Sequence, residues 1–276
     1  MRLVRTLTVL VLGAGLMVGC NDDGISPEDL TLADLVGGWS ADEFEFTSQS
    51  NPAESVDFIT LGGEVTLSVA DNGRYTIVML PPQDTPDVSK GSVDVDGGFL
   101  LVTDDETPGD TVTFTLILSG NTLTIETGEL EFDFGAGDEP ADLHAVFSVP
   151  VGTTAVDLEG TWEATDWRYI SEPAGADTID VIADGGSLTM TVAGDATYSA
   201  DVTIPGELPI TETGVVMIVD DVMLLIDDIV PDDPMVFTFV LSAGTISLEG
   251  EGQIDFDDPP DGIDEDATIE IVLVLQ

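Results

Sequence analysis

The chain has 276 residues, long for one all-β domain and comfortable for two, each able to bury a core of its own. Hydrophobic residues make up 43%, which excludes a disordered acidic chain, and the single cysteine excludes a disulfide within the chain. Acidic residues number 55 against 5 basic ones, a net charge of −50; such a surface repels nucleic acid and anionic lipid head groups, and we expect neither as a partner of the folded part.

Residues 1–20 read as an address. Arg2 and Arg5 form a short basic start, and Leu7 to Val18 is an apolar run too short to span a bilayer comfortably. It ends in Leu16-Met-Val-Gly-Cys20, which resembles the bacterial lipobox, with Met17 where that pattern prefers Leu. The resemblance implies lipid attachment at Cys20 after cleavage before it. Each buried methylene contributes about 0.8 kcal/mol, so two or three acyl chains anchor stably to a membrane. Asn21 replaces the Asp that often retains such proteins at an inner membrane, so the implied place is the outer membrane, periplasmic or surface-exposed. Residues 21–33 follow as a polar tether with Gly24 and Pro27.

From there the chain repeats itself with an offset of 123. Asp34-Leu-Val-Gly-Gly-Trp39 falls on Asp157-Leu-Glu-Gly-Thr-Trp162, and Gly62 to Ala70 falls on Gly185 to Ala193. Tyr75 meets Tyr198, Gly91 meets Gly214, and Phe114 meets Phe237 without a gap. Only at Phe132-Asp-Phe134, opposite Ile254-Asp-Phe256, has the offset slipped by one. Such register marks a duplicated domain, with copies at 34–150 and 157–276.

Each copy is a series of strands. Glu64 to Val69 alternates apolar and polar residues, Asp71-Asn-Gly73 is a hairpin signal, and Arg74 to Met79 returns. Further strands are Gly98–Val102, Thr111–Leu118, Thr122–Ile125, Glu129–Phe134 and Leu143–Val149, giving eight to ten per copy in an antiparallel meander. A meander of this kind protects its edges by closing into a barrel or stacking as a β-sandwich. Gly37-Gly-Trp39 and Gly160-Thr-Trp162, each opening a copy, resemble the Gly-x-Trp start of lipocalin-like domains, and Gly120-Asn-Thr-Leu-Thr-Ile125 is similar to a stretch of bacterial lipocalin-like lipoproteins. The resemblance implies two tandem lipocalin-like barrels, with a β-sandwich as the alternative. It also implies that the Trp closes the barrel base under a basic residue from a late strand. Neither copy has a basic residue there.

Candidate chemistry is sparse. His144 is the sole histidine; it belongs to Leu143-His-Ala-Val, a pattern that turns it outward on a strand, near Ile269 of the second copy. With Cys20 consumed by lipid, no nucleophile–base set can be assembled, and we expect no enzyme. Paired carboxylates are too numerous to single out a glycosidase pair. The acidic loop holding Asp255, Asp257, Asp258, Asp261, Asp264 and Asp266 could supply oxygens to calcium, although its spacing departs from an EF-hand. Asp133 to Asp142, Asp94 to Gly98 and Asp227 to Asp233 are sparser versions, and solvated hairpin loops account for all of them equally well. Trp162, Trp167 and Tyr169 share one strand, and period two puts the last two opposite Trp162 unless a bulge intervenes. Phe44 and Phe46 match Trp167 and Tyr169; exposed, these aromatics could form a binding face, and core packing is the alternative reading.

The expectation for function is a lipid-anchored binder holding a small apolar ligand inside its barrels. The alternative is a structural or adhesive cell-surface protein stabilised by cations such as calcium.

Overall fold

The structure, a computed structural model, describes residues 27–82, 85–135, 137–171, 177–231, 233–254 and 265–276. It divides into two compact units between Val151 and Gly152. The first holds β1 (Gly37–Ser48), β2 (Ser55–Asp57), β3 (Glu64–Val69), β4 (Arg74–Leu80), β5 (Asp87–Asp96), β6 (Phe99–Asp104), β7 (Thr111–Ser119), β8 (Thr122–Asp133) and β9 (Asp138–Ser148). The second holds β10 (Gly160–Ser171), β11 (Thr178–Asp180), β12 (Ser187–Val192), β13 (Thr197–Thr203), β14 (Ile210–Val219), β15 (Val222–Asp227), β16 (Met235–Ser242), β17 (Thr245–Ile254) and β18 (Glu265–Leu275).

In each unit every long strand pairs antiparallel with the next, and the first strand closes the ring. β1 pairs with β3 over Gly37–Ser40 and with β9 over Ser40–Ser48. β10 joins β12 and β18 in the same way. The short β2 and β11 only flank the far ends of β1 and β10. Both copies are therefore closed eight-stranded antiparallel barrels, not sandwiches, and closure removes the exposed edges of the meander. Alternation then puts one face of each strand inside. Leu116, Leu123, Ala145 and Phe147 are buried in the first core, and Trp162, Met223, Ile246 and Leu273 in the second.

A bulge decides the aromatic strand. The register slips between Ala41 and Glu43 in β1, and between Ala164 and Asp166 in β10. One extra residue reverses the alternation, so Trp162 and Trp167 both point inward, as do Trp39 and Phe44. These aromatics are core and do not form an exposed binding face. A second bulge, between Thr127 and Leu130, lies within β8, which runs unbroken where the sequence reads as two strands. The matching strand β17 pairs with β18 without a slip. The extra residue in β8 is the reason the repeat offset shortens by one.

One end of each barrel is plugged. Leu32–Asp34 forms a 3-10 turn whose start is fixed by Thr31, with its amide and Oγ1 donating to Asp34 Oδ2 at 2.9 and 2.8 Å. Leu30 and Leu35 are buried in the first core, so the segment expected as tether up to residue 33 already belongs to the barrel from Leu30. A turn at Ala155–Leu158, capped identically by Thr154 on Asp157, places Ala155 and Leu158 in the second core, which thus begins before residue 157. Trp39 and Trp162 pack above these plugs. Trp39 Nε1 donates to the Leu35 carbonyl at 2.9 Å, and Trp162 Nε1 to the Leu158 carbonyl at 2.7 Å. A main-chain carbonyl thus takes the polar edge of the indole, where the resemblance implied a basic side chain.

Candidate functional site

The first barrel encloses a cavity of about 210 Å³. Its wall is apolar over most of its depth, with Phe44, Leu67, Val102, Ile125, Ala145 and Phe147 among the lining residues. The plug and the tight hairpins at Gly73, Gly97 and Gly120 shut one end. The polar lining gathers at the other. Asp87 starts β5, Asp104 ends β6, Asp110 precedes β7 and Glu131 stands near the end of β8, so all four carboxylates ring the end opposite the plug.

Three of the polar lining residues form one bonded group. Ser89 Oγ donates to Asp104 Oδ2 at 2.6 Å, and the Tyr75 hydroxyl lies 3.0 Å from Ser89 Oγ and 3.4 Å from that carboxylate oxygen. The other Asp104 oxygen accepts the Glu106 amide at 2.8 Å. Tyr75 reaches this point because its ring crosses Gly91 on the neighbouring strand. A Cβ at Gly91 would come within 2.8 Å of Tyr75 Cε1 and 2.1 Å of the Thr103 carbonyl. The space exists because small residues face it, above all Ala145, opposite Phe44 in the β1–β9 register. An apolar chamber with one hydrogen-bonding end suits retention of a small molecule.

The second barrel carries larger side chains at several matching positions. Trp167 stands for Phe44, and Ile271, its register partner, for Ala145. Tyr198 crosses Gly214 as Tyr75 crosses Gly91, with Cε1 2.8 Å from where a Cβ would be. Glu212 replaces Ser89, and Asp227 matches Asp104.

The residues singled out in the sequence are placed as follows. His144 faces outward: Nδ1 is 2.8 Å from Glu126 Oε1, and Nε2 is 3.9 Å from Glu43 Oε1. Its register counterpart is Glu270, not Ile269, since Glu45 pairs with His144 and Arg168 with Glu270. Cys20, Asp255, Asp257, Asp258, Asp261 and Asp264 lie outside the described residues. Asp266, exposed, stands on β18 opposite Gln253. Asp133 Oδ1 accepts the Gly135 and Gly137 amides at 2.7 and 2.9 Å, and Asp227 Oδ1 accepts those of Ile229 and Val230 at 2.6 and 3.0 Å. Those carboxylates fold their own turns. Asp94 and Asp96 lie on β5. Among the described residues no three acidic or histidine side chains gather as a metal site, and no helix is long and apolar enough to cross a membrane.

Sequence reasoning passed over the cavity group. Tyr75 and Gly91 were visible as repeated positions, and their pairing across β4 and β5 gives the repetition its physical sense. Ser89 and Asp104 carry no motif.

No protein-family model matches the chain, and no curated protein matches it either. Among solved structures, it is similar to a protein of unknown function from the DUF3598 family of Nostoc punctiforme, at 12% identity over 87% of this chain and 96% of that one, with a TM-score of 0.26.

Proposed function

We propose that the first barrel binds a small, mainly apolar molecule whose single polar end meets Tyr75, Ser89 and Asp104. The carrying observation is the apolar cavity of about 210 Å³ with its polar group at the open end. A cavity of roughly 150 Å³ suffices for benzene, so this one takes a ring with a short substituent or a short acyl chain. Four carboxylates at the open end disfavour an anionic head group, so the ligand is neutral or cationic there. A lipid anchor at Cys20 would hold this binder at the outer membrane, facing the periplasm or the exterior.

Native mass spectrometry of the purified chain and calorimetric titration with 1-octanol and octanoate test the reading. A co-purified small molecule, or saturable binding of octanol with octanoate at least tenfold weaker, supports it. No bound species and no heat with either probe would sink it. The anchor is tested separately. Labelled palmitate should enter the protein in its bacterial host and be lost in Cys20→Ser.

A further inference from the structure

The cavity of the first barrel carries charge of one sign only. Among its lining residues Asp87, Asp104, Asp110 and Glu131 are acidic, and none is basic. Arg74 pairs instead with Asp105, and Lys90 follows the lining residue Ser89 on β5, where alternation turns it outward. Asp110 and Glu131 have no cationic partner among the described residues. A carboxylate ring alone would be ordinary acidic surface, solvated by water. This one stands over an apolar chamber of about 210 Å³, and low-dielectric walls concentrate its field at the opening.

Beneath the ring, the Tyr75 hydroxyl, Ser89 Oγ and Asp104 Oδ2 lie within 3.4 Å of one another. Tyr75 is buried, so its hydroxyl belongs to the interior. Each hydroxyl can donate once and still accept, and the carboxylate only accepts, so the group offers a ligand mainly lone pairs. A primary ammonium has three N–H donors, no acceptor and one positive charge. Its donors suffice for all three oxygens, and its charge offsets the carboxylates around it. An alcohol brings one donor and no charge, and an anionic head would meet four like charges. A bare metal ion would satisfy the opening and leave the apolar depth unfilled.

We infer that the first barrel takes an aliphatic primary amine in its ammonium form, with the head among Tyr75, Ser89, Asp104 and the carboxylates of the opening, and the tail along the apolar wall. The assignment rests on the proposal that this chamber is a ligand site and names the class of ligand. Hydrogen bonds between a charged donor and a carboxylate are roughly twice as strong as neutral ones, which sets an amine apart from an alcohol of the same length. The second barrel does not repeat the arrangement. Ile210 stands for Asp87, and Trp167 and Ile271 fill the places of Phe44 and Ala145. One amine per chain is therefore expected.

Calorimetric titration of the full chain with octylamine, 1-octanol and ethylamine, at neutral pH and matched NaCl, tests it. Both amines are then ammonium ions, as a lysine-like pKa of about 10.4 requires. Octylammonium should bind at one site, at least about tenfold more tightly than 1-octanol, and 1-octanol should compete with it. Ethylammonium has the charge without the tail and should show no saturable binding, which separates the chamber from the general attraction of an acidic surface. Asp104→Asn, and the double variant Asp110→Asn/Glu131→Gln, should each cut the preference for octylammonium over 1-octanol at least threefold. Asp94→Asn removes an exposed carboxylate towards the closed end and should leave that preference unchanged. Equal affinity for octylammonium and 1-octanol, or a preference undiminished in both sets of variants, would overturn the ammonium assignment and leave the apolar chamber standing. Binding of neither probe would overturn the assignment together with the chamber on which it rests.

Discussion

The Trp39 indole nitrogen donates to the main-chain oxygen of Leu35 four residues earlier, across 2.9 Å, and both residues are buried at the plugged end of the first barrel. The bond ties the barrel wall to the turn that stops its base, and Trp162 and Leu158 repeat it in the second barrel. Replacing Trp39 by Phe keeps much of the ring but strands the Leu35 carbonyl without a donor. An unpaired buried carbonyl costs about 1–3 kcal/mol and the lost volume adds to it. Trp39→Phe and Trp162→Phe should each destabilise their own barrel by about 2–4 kcal/mol, read by urea unfolding. A change below about 0.5 kcal/mol would mean that the plug contributes little.

Gly91 and Gly214 give a sharper test. A methyl group at Gly91 would lie 2.1 Å from the Thr103 carbonyl, and one at Gly214 2.0 Å from that of Ile226, with a tyrosine ring edge 2.8 Å away in each case. The obstacle is backbone, which cannot swing aside as a flexible side chain could. Gly91→Ala and Gly214→Ala should each cost about 3 kcal/mol, where a solvent-facing Gly→Ala in a strand would be near neutral. Thermal melts of the two single variants decide it. Melts within a degree or two of the parent would show that the barrel wall opens there at no cost.

Repetition made Gly91 and Gly214 visible before their role was known, and it made the two-barrel plan legible as well. Strand existence followed from alternation, because a residue pointing into a barrel must be apolar and its neighbour need not be. The faces of Trp162 and Trp167 were harder to read. They depend on one bulged residue near Thr165, and a bulge leaves no compositional mark. The cavity was not legible at all. It arises from a small side chain at Ala145 meeting a barrel wall assembled from strands far apart in sequence. The polar group depends equally on a non-local meeting, since Ser89 and Asp104 come from different strands.

The second copy supplies the variant that tests the first cavity. Ala145 is buried against it, and Ile271 occupies the corresponding place in the other barrel. Ala145→Ile should fill the chamber with apolar volume at a stability change within about 1.5 kcal/mol of the parent. Binding of 1-octanol should be lost while the melt stays nearly unchanged. Retained octanol affinity in a well-folded Ala145→Ile protein would place the apolar ligand elsewhere.

The charge of −50 predicts a strong response to salt. Like charges across the surface repel within a Debye length, about 10 Å at 0.1 M and 3 Å at 1 M ionic strength. Raising NaCl from 0.05 to 1 M should therefore increase the melting midpoint steadily. A flat profile would mean that the acids are spaced widely enough to ignore one another.

Glu212 carries the most specific pH prediction. Burial, and then the charge of Asp227, push its carboxyl above the usual range. An acid whose pKa is raised by folding holds its proton more tightly in the folded state than in the unfolded one. Its contribution to stability is therefore fully present below the unfolded value, about 4.3, and is lost as pH climbs through the raised folded value. Glu212→Gln removes that titration and resembles the protonated acid. The variant should be more stable than the parent at pH 7, and the difference should shrink towards zero below about pH 4. The comparison is with the parent at each pH, so that contributions common to both proteins cancel. Chemical unfolding of both proteins from pH 4 to pH 8 measures the difference directly. A gap that stays constant with pH would show that Glu212 is as well solvated in the folded barrel as in the unfolded chain, and that its half-buried carboxylate feels neither the wall nor Asp227.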